Sequence, residues 1–179
     1  MNKLIRIAVL VALATLPLSS VALAGTATST FTVTANVTKN CTISAANIAF
    51  GPYDPIVANA VTPLTLPSTV TVACTKGAVA TVGLNAGTNP GAGGCATTRA
   101  MSSGGGAPSY LCYEIYQPAP GAGNVSATTT VWGNVAASWW TYTSAGKAPF
   151  GLVDTGQIPA GQDVPALSYT DSVIATVTF

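Results

Sequence analysis

Across residues 26–37 apolar and polar side chains alternate. Phe31, Val33, Ala35 and Val37 share one parity, and Thr30, Thr32, Thr34 and Asn36 share the other. A period of two is the pattern of a strand with one apolar face, so this segment is predicted as a first strand. A second run covers residues 42–50 and stops at Gly51-Pro52-Tyr53. Prolines at 55, 63 and 67 make residues 54–67 loop-like, with room for a short edge strand. Residues 69–74 alternate again, and residues 78–84 read as the next strand after a Lys76-Gly77 turn. Residues 87–108, dominated by Gly, Ala, Ser and Thr, are predicted as a loop or long irregular hairpin connection. Strands follow at 110–116, 128–132, 139–143 and 150–158, then a Pro159-Ala160-Gly161 turn. In the last run, 169–179, Tyr169, Val173, Ala175, Val177 and Phe179 share a face with Asp171, and Ile174 interrupts the opposite, polar face. No long helical period occurs. Short Thr- and Val-rich strands punctuated by Gly and Pro predict an all-β sandwich or barrel.

The first residues carry a different pattern. Lys3 and Arg6 precede an apolar stretch, residues 7–16, which Pro17 and Ser19-Ser20 end before Ala22-Leu23-Ala24. That order is the positive, apolar and small-residue sequence of a secretory signal peptide. An uncleaved anchor is the rival reading, but the stretch falls short of the roughly 20 residues a span needs. Residues 1–24 are therefore expected to be removed, leaving a single-domain length of 155 residues from Gly25.

Export changes the meaning of the cysteines. Cys41, Cys74, Cys95 and Cys112 all follow residue 24. An even count in an exported chain reads as disulfides, with three pairings open. A zinc site is the alternative, but the spacings are wide, no CxxC occurs and the chain has no histidine. Charge is sparse beyond residue 24: Lys39, Lys76, Arg99 and Lys147 against Asp54, Glu114, Asp154, Asp163 and Asp171. Without a basic patch, nucleic acid is not an expected partner, and no polybasic membrane anchor is present.

Candidate chemistry is thin. A chain without histidine cannot build a Ser-His-Asp or Cys-His site. The acidic residues form no recognisable pair, and Glu114 reads as structural or surface. Gly104-Gly105-Gly106 lacks the Lys-Ser/Thr and the strand–loop–helix setting of a phosphate loop. Trp139, Trp140 and Tyr142 allow a sugar-stacking platform, although packing is the commoner use of such residues. The chain is read as non-enzymatic, with no cofactor or metal.

The order of motifs resembles the spore coat protein U domain family, which includes subunits of archaic chaperone–usher pili. The resemblance runs through Cys41-Thr42-Ile43, Phe50-Gly51-Pro52-Tyr53-Asp54-Pro55 and Val70-Thr71-Val72-Ala73-Cys74 with Lys76-Gly77. It continues through Leu84-Asn85-Ala86-Gly87, Arg99-Ala100-Met101, Leu111-Cys112-Tyr113-Glu114-Ile115-Tyr116 and Val131-Trp132-Gly133. It closes with Ile158-Pro159-Ala160-Gly161-Gln162, Tyr169-Thr170-Asp171-Ser172-Val173 and Val177-Thr178-Phe179. Cys95 with Cys112, and the tryptophan-bearing stretch 136–154, depart from the pattern.

The resemblance implies an incomplete immunoglobulin-like β-sandwich completed by a donor strand. Its partners would be a periplasmic chaperone, an outer-membrane usher and identical or related pilus subunits, with export through the periplasm to the cell surface. Residues 25–40 would be the donor extension, inserting Phe31, Val33, Ala35 and Val37 into a neighbouring subunit. Residues 41–179 would be the domain, with Val173, Ala175, Val177 and Phe179 lining its acceptor groove. In this picture Cys41 would pair with Cys74, and the added pair, Cys95 and Cys112, would close the glycine-rich loop. The function so implied is a shaft or adaptor subunit for adhesion or biofilm formation. The alternatives are a monomeric spore-coat or carbohydrate-binding sandwich, in which residues 26–37 are an ordinary first strand.

Overall fold

The computed structural model describes residues 24–179; the expected signal peptide lies almost wholly outside them. The described residues 24–36 belong to one unit, and the sandwich occupies the other, Val37–Phe179. Eight strands build it: β1 (Cys41–Ala45), β2 (Leu64–Cys74), β3 (Val79–Leu84), β4 (Arg99–Ser102), β5 (Tyr110–Tyr116), β6 (Trp140–Thr143), β7 (Phe150–Ile158) and β8 (Ala175–Thr178). One sheet has the order β1-β2-β7-β5-β4 and the other β6-β3-β8. Every ladder is antiparallel. The only helical elements among the described residues are two 3-10 turns, Ala92–Gly94 and Ala136–Ser138.

Strand alternation makes the core. Val70, Val72 and Cys74 of β2, Leu111, Tyr113 and Ile115 of β5, and Leu152 and Ile158 of β7 are buried with Ala80, Val82 and Leu84 of β3. Each large aliphatic residue so covered contributes about 1.5–3 kcal/mol. Trp132 is fully buried between the sheets. Its backbone N–H donates to Ile115 on β5, and its indole N–H donates to the Val82 carbonyl on β3 at 2.9 Å.

Disulfides join Cys41 to Cys74 and Cys95 to Cys112. The first links facing positions of β1 and β2. The second ties the loop before β4 to β5.

Several elements differ from the pattern-based expectation. Residues 26–37 form no strand: alternation defines two faces, but a strand also needs a neighbouring edge for its N–H and C=O groups. The run at 42–50 leaves its ladder after Ala45, and the core-facing parity shifts from Cys41 and Ile43 to Ile48 and Phe50. Ile48 and Phe50 pack over Gly156, where a Cβ would stand 2.7 Å from the Phe50 ring. β2 begins at Leu64 and runs through Pro67, inside the stretch expected to be a loop. The β1 ladder reaches only to Val70, so Pro67 pairs on the β7 side alone, the edge position where a missing N–H is tolerated. The glycine-rich stretch hides β4, whose ladder partner is β5. Residues 128–132 contribute only a Tyr116–Val131 bridge, because Trp132 crosses between the sheets.

The densest polar contact is Arg99, fully buried at the start of β4. Its Nη1 pairs with Glu114 Oε1. Nε and Nη2 donate to the Asn85 carbonyl at 3.0 and 2.7 Å, and Nη2 donates to the Trp132 carbonyl at 2.6 Å. The other Glu114 oxygen accepts the Thr98 N–H at 2.8 Å. A single side chain on the five-stranded sheet thus holds the end of β3 and the Trp132 crossing. Arg99→Met leaves Glu114 buried without its cation and should destabilise the fold by about 3–5 kcal/mol, read as a lowered urea midpoint.

Candidate functional site

β1 and β8 are both edge strands, one from each sheet. They come within 8 Å of each other, Cα to Cα, yet share no ladder. Each therefore has one row of backbone N–H and C=O groups without a strand partner. Between them the core is incompletely covered. Cys41, Ile43, Ile48 and Phe50 on one side, and Val173, Ala175 and Val177 on the other, pack against the core while remaining partly exposed. An opening of about 720 Å³ lies where residues 48–56 meet residues 164–169, lined by Ile48, Phe50, Leu111, Ile158, Val164 and Tyr169 among others.

Each edge is pinned to its own sheet. Cys41–Cys74 holds β1 to β2, and the Thr75 hydroxyl accepts the Asn40 N–H and donates to the Thr38 carbonyl, both at 3.1 Å. β8 is held by Asp171. Its carboxylate accepts hydrogen bonds from the Thr88 N–H and the Ser172 N–H at 2.8 Å, from the Tyr113 hydroxyl at 2.6 Å, and from the Thr88 hydroxyl. Gly87, at φ +76°, leaves room for it: a Cβ there would fall 1.9 Å from Asp171 Oδ2. Asn85 adds a second clamp, its N–H donating to the Ile174 carbonyl at 3.0 Å and its Oδ1 accepting the Ile174 N–H at 2.8 Å. Together these contacts set the β8 register, Ala175 facing Leu84 and Thr178 facing Thr81.

The sequence-derived site residues fall as follows. Val173, Ala175 and Val177 face the core beside β1, whereas Phe179 lies beyond β8 and is 45% exposed. Phe31, Val33 and Val37 are exposed, Phe31 at 85%, and Ala35 is exposed with them. Trp140 and Tyr142 pack against the core, Tyr142 stacking on Phe150 at 5.3 Å between ring centroids. Trp139, on extended backbone beside them, falls off that face and lies next to Gly83, so the three aromatic residues form no common platform. Val173, Ala175 and Val177 are only the β8 side of the cleft. Ile43, Ile48 and Phe50 were missed, although the parity shift after Ile43 marks where the chain leaves β2. Arg99, Glu114 and Asp171 were missed as clamps, since their partners lie far away in the chain.

The sequence model of the Spore Coat Protein U domain matches residues 27–176. The chain belongs to the spore coat protein U domain family. Protein U of Myxococcus xanthus is 33% identical over 181 residues, covering 97% of this chain and 96% of that protein. Among solved structures, the chain superposes on part of the CsuC–CsuE chaperone–tip adhesion subunit pre-assembly complex from archaic chaperone-usher Csu pili of Acinetobacter baumannii. There the TM-score is 0.54 at 21% identity, over 80% of this chain and 40% of that one. That likeness is one of fold, and it agrees with an immunoglobulin-like sandwich. In this family member the β1–β8 cleft lies beside two unpaired strand edges.

Two carboxyls give the fold a pH dependence of opposite signs. Burial pushes Asp154 up to about 6, only partly countered by its own backbone N–H, and its Oδ1 has no hydrogen-bond partner. Its protonated form suits the folded state better, so stability should rise as pH falls from about 6 towards about 4, where unfolded Asp titrates. For Asp171, desolvation acts upward, but the bonds from Thr88, Tyr113 and Ser172 outweigh it and hold the carboxyl below its ordinary value. Its contribution is present above about pH 4 and is lost as pH falls through the folded-state pKa. Melting temperature against pH should therefore peak at about pH 4 and fall towards about pH 6. Asp154→Asn should flatten the neutral side of the peak, and Asp171→Asn should flatten the acid side.

Proposed function

We propose that this protein is a structural, non-enzymatic subunit, shaft or adaptor, of an archaic chaperone–usher pilus, polymerising by donor-strand complementation. The observation that carries the reading is the pair of unpartnered edges, β1 and β8, flanking a partly uncovered core. An added strand between two edges gains main-chain hydrogen bonds for affinity and side-chain pockets for specificity. The matching donor is the alternating segment 26–37, exposed and without a strand partner in this chain. Phe31, Val33 and Val37 each contribute about 1.5–3 kcal/mol when buried, and Ala35 contributes less. Val173, Ala175, Val177 and Phe179 would line the acceptor from one side, and Ile43, Ile48 and Phe50 from the other.

Laddered strands lie about 4.8 Å apart, so a strand between β1 and β8 needs roughly 9.6 Å. Those edges now approach within 8 Å and would part as the donor enters. Before assembly a periplasmic chaperone would cover the cleft, since an exposed strand edge is a pairing hazard, and an outer-membrane usher would direct the exchange. Residues 1–24 would act as the export signal, residues 25–40 as the donor extension and residues 41–179 as the acceptor domain. Adhesion or biofilm formation is the role of such a fibre at the cell surface. The family membership and the likeness to one chain of a pilus pre-assembly complex support this reading.

The sheared surface fraction, run on a denaturing gel without boiling, should give a ladder that collapses to one subunit-sized band on boiling. Deleting residues 26–37 should abolish the ladder while leaving chaperone binding intact. A single band in both lanes would instead favour a monomeric secreted domain.

A further inference from the structure

Beyond residue 37 the sandwich carries few side-chain charges, and burial or hydrogen bonding occupies several of them. Arg99 and Glu114 pair in the interior. Asp154 is buried, and Asp171 holds Thr88, Tyr113 and Ser172. The exposed ones are Lys39, Lys76 and Lys147, with Asp54 and Asp163. They are segregated. Lys76 and Lys147 line one shallow pocket of about 460 Å³ together with the Cys41–Cys74 disulfide and Ala73. Lys39 sits between Thr38 and Asn40, both tied to Thr75 at the same end. Asp54 and Asp163 lie at the other end, each next to a partner in the hydrogen bond from the Gln162 N–H to the Tyr53 hydroxyl. β2 runs from the acidic end to the basic end. Its 11 residues separate the two by about 33 Å at 3.3 Å per residue, several Debye lengths at physiological salt. The poles therefore interact little within one copy.

The acidic end also carries an apolar knob. Ile56, Val57 and Val61 are 82%, 76% and 89% exposed on a turn that is internally braced. Asp54 Oδ1 accepts the Ile56 and Val57 N–H groups at 2.9 and 3.1 Å. Asn59 is buried, and it accepts the Asp54 N–H through its side-chain oxygen and the Gly161 N–H through its carbonyl. A preformed knob loses little freedom on docking, and a cluster of exposed large apolar residues marks a contact surface.

We propose that the basic pocket at the disulfide end of one copy receives the Asp54–Val57 turn of a second copy, so that subunits meet head to tail. Such a contact is heterologous and propagates into an open fibre. It rests on the donor-strand reading, which it extends. A donor strand antiparallel to β8 would leave the cleft at the acidic end, bringing Lys39, Lys76 and Lys147 of its own domain against Asp54 and Asp163. Exposed ion pairs add little strength. The contact would chiefly orient encounter and set the angle between subunits.

The test uses the exported, disulfide-bonded protein saturated with a synthetic peptide of residues 26–37, which blocks strand exchange, followed by sedimentation velocity. Wild type should self-associate at low salt, with apparent affinity falling about tenfold between about 20 mM and about 300 mM NaCl. Lys76→Glu/Lys147→Glu leaves both ends acidic, and Asp54→Asn/Asp163→Lys leaves both basic. The asparagine retains the carbonyl oxygen that caps the turn. Neither variant alone should associate, and an equimolar mixture of the two should. Restoration by mixing also shows that both variants fold. Wild type that stays monomeric at low salt, or association indifferent to salt and to both variants, would overturn the contact. Peptide binding judges the donor-strand reading separately: failure of the peptide to bind, with charge-dependent association intact, would sink that reading and leave the contact standing.

Discussion

A strand with one neighbour carries a row of backbone N–H and C=O groups that nothing in its own sheet can satisfy, and such a row costs free energy wherever water is kept from it. In this sandwich β1 and β8 bring two such rows side by side at the mouth of the core. Much else is arranged around that opening. The Cys41–Cys74 bridge keeps β1 on β2. Asp171 and Asn85 keep β8 in register with β3. The glycine at 156 lets Ile48 and Phe50 descend onto the sheet where β1 has already left it.

Holding an opening of this kind requires a stiff remainder. The interior meets that need with a small number of polar clamps in place of additional strands. Arg99 reaches three carbonyls and one carboxylate, and so joins β4, the end of β3 and the Trp132 crossing. Glu114 in turn holds the Thr98 N–H. A guanidinium suits this task because its planar fork presents several donors in fixed directions. The cost is that neither charge tolerates loss of its partner.

The scarcity of charge gives the remaining charges more weight. With Arg99, Glu114, Asp154 and Asp171 engaged inside or at the β8 clamp, the exposed charges collect at opposite ends of β2. An apolar knob stands at one end and a shallow pocket at the other. In the proposed fibre the strand edges and the two ends would point along the same direction of assembly. The first would supply affinity and the second orientation.

Much was legible in the chain itself. The strands expected at 110–116 and 150–158 coincide with β5 and β7. The export pattern and the even cysteine number implied disulfides, and the lack of histidine removed the commonest catalytic sites. Alternation at 26–37 also revealed an apolar face. It did not reveal that no strand forms there, since pairing depends on a distant edge and not on the segment. β4 stayed hidden inside a glycine-rich stretch for the same reason: four residues become a strand only when β5 lies beside them. Arg99 and Glu114 are 15 residues apart, and Thr88 and Asp171 are 83 apart. A side-chain period reports neighbours two positions away, so it fixes which face a residue presents. Which edges remain open, which charges meet and which end each charge occupies follow from long-range packing, and the tertiary structure alone decides them.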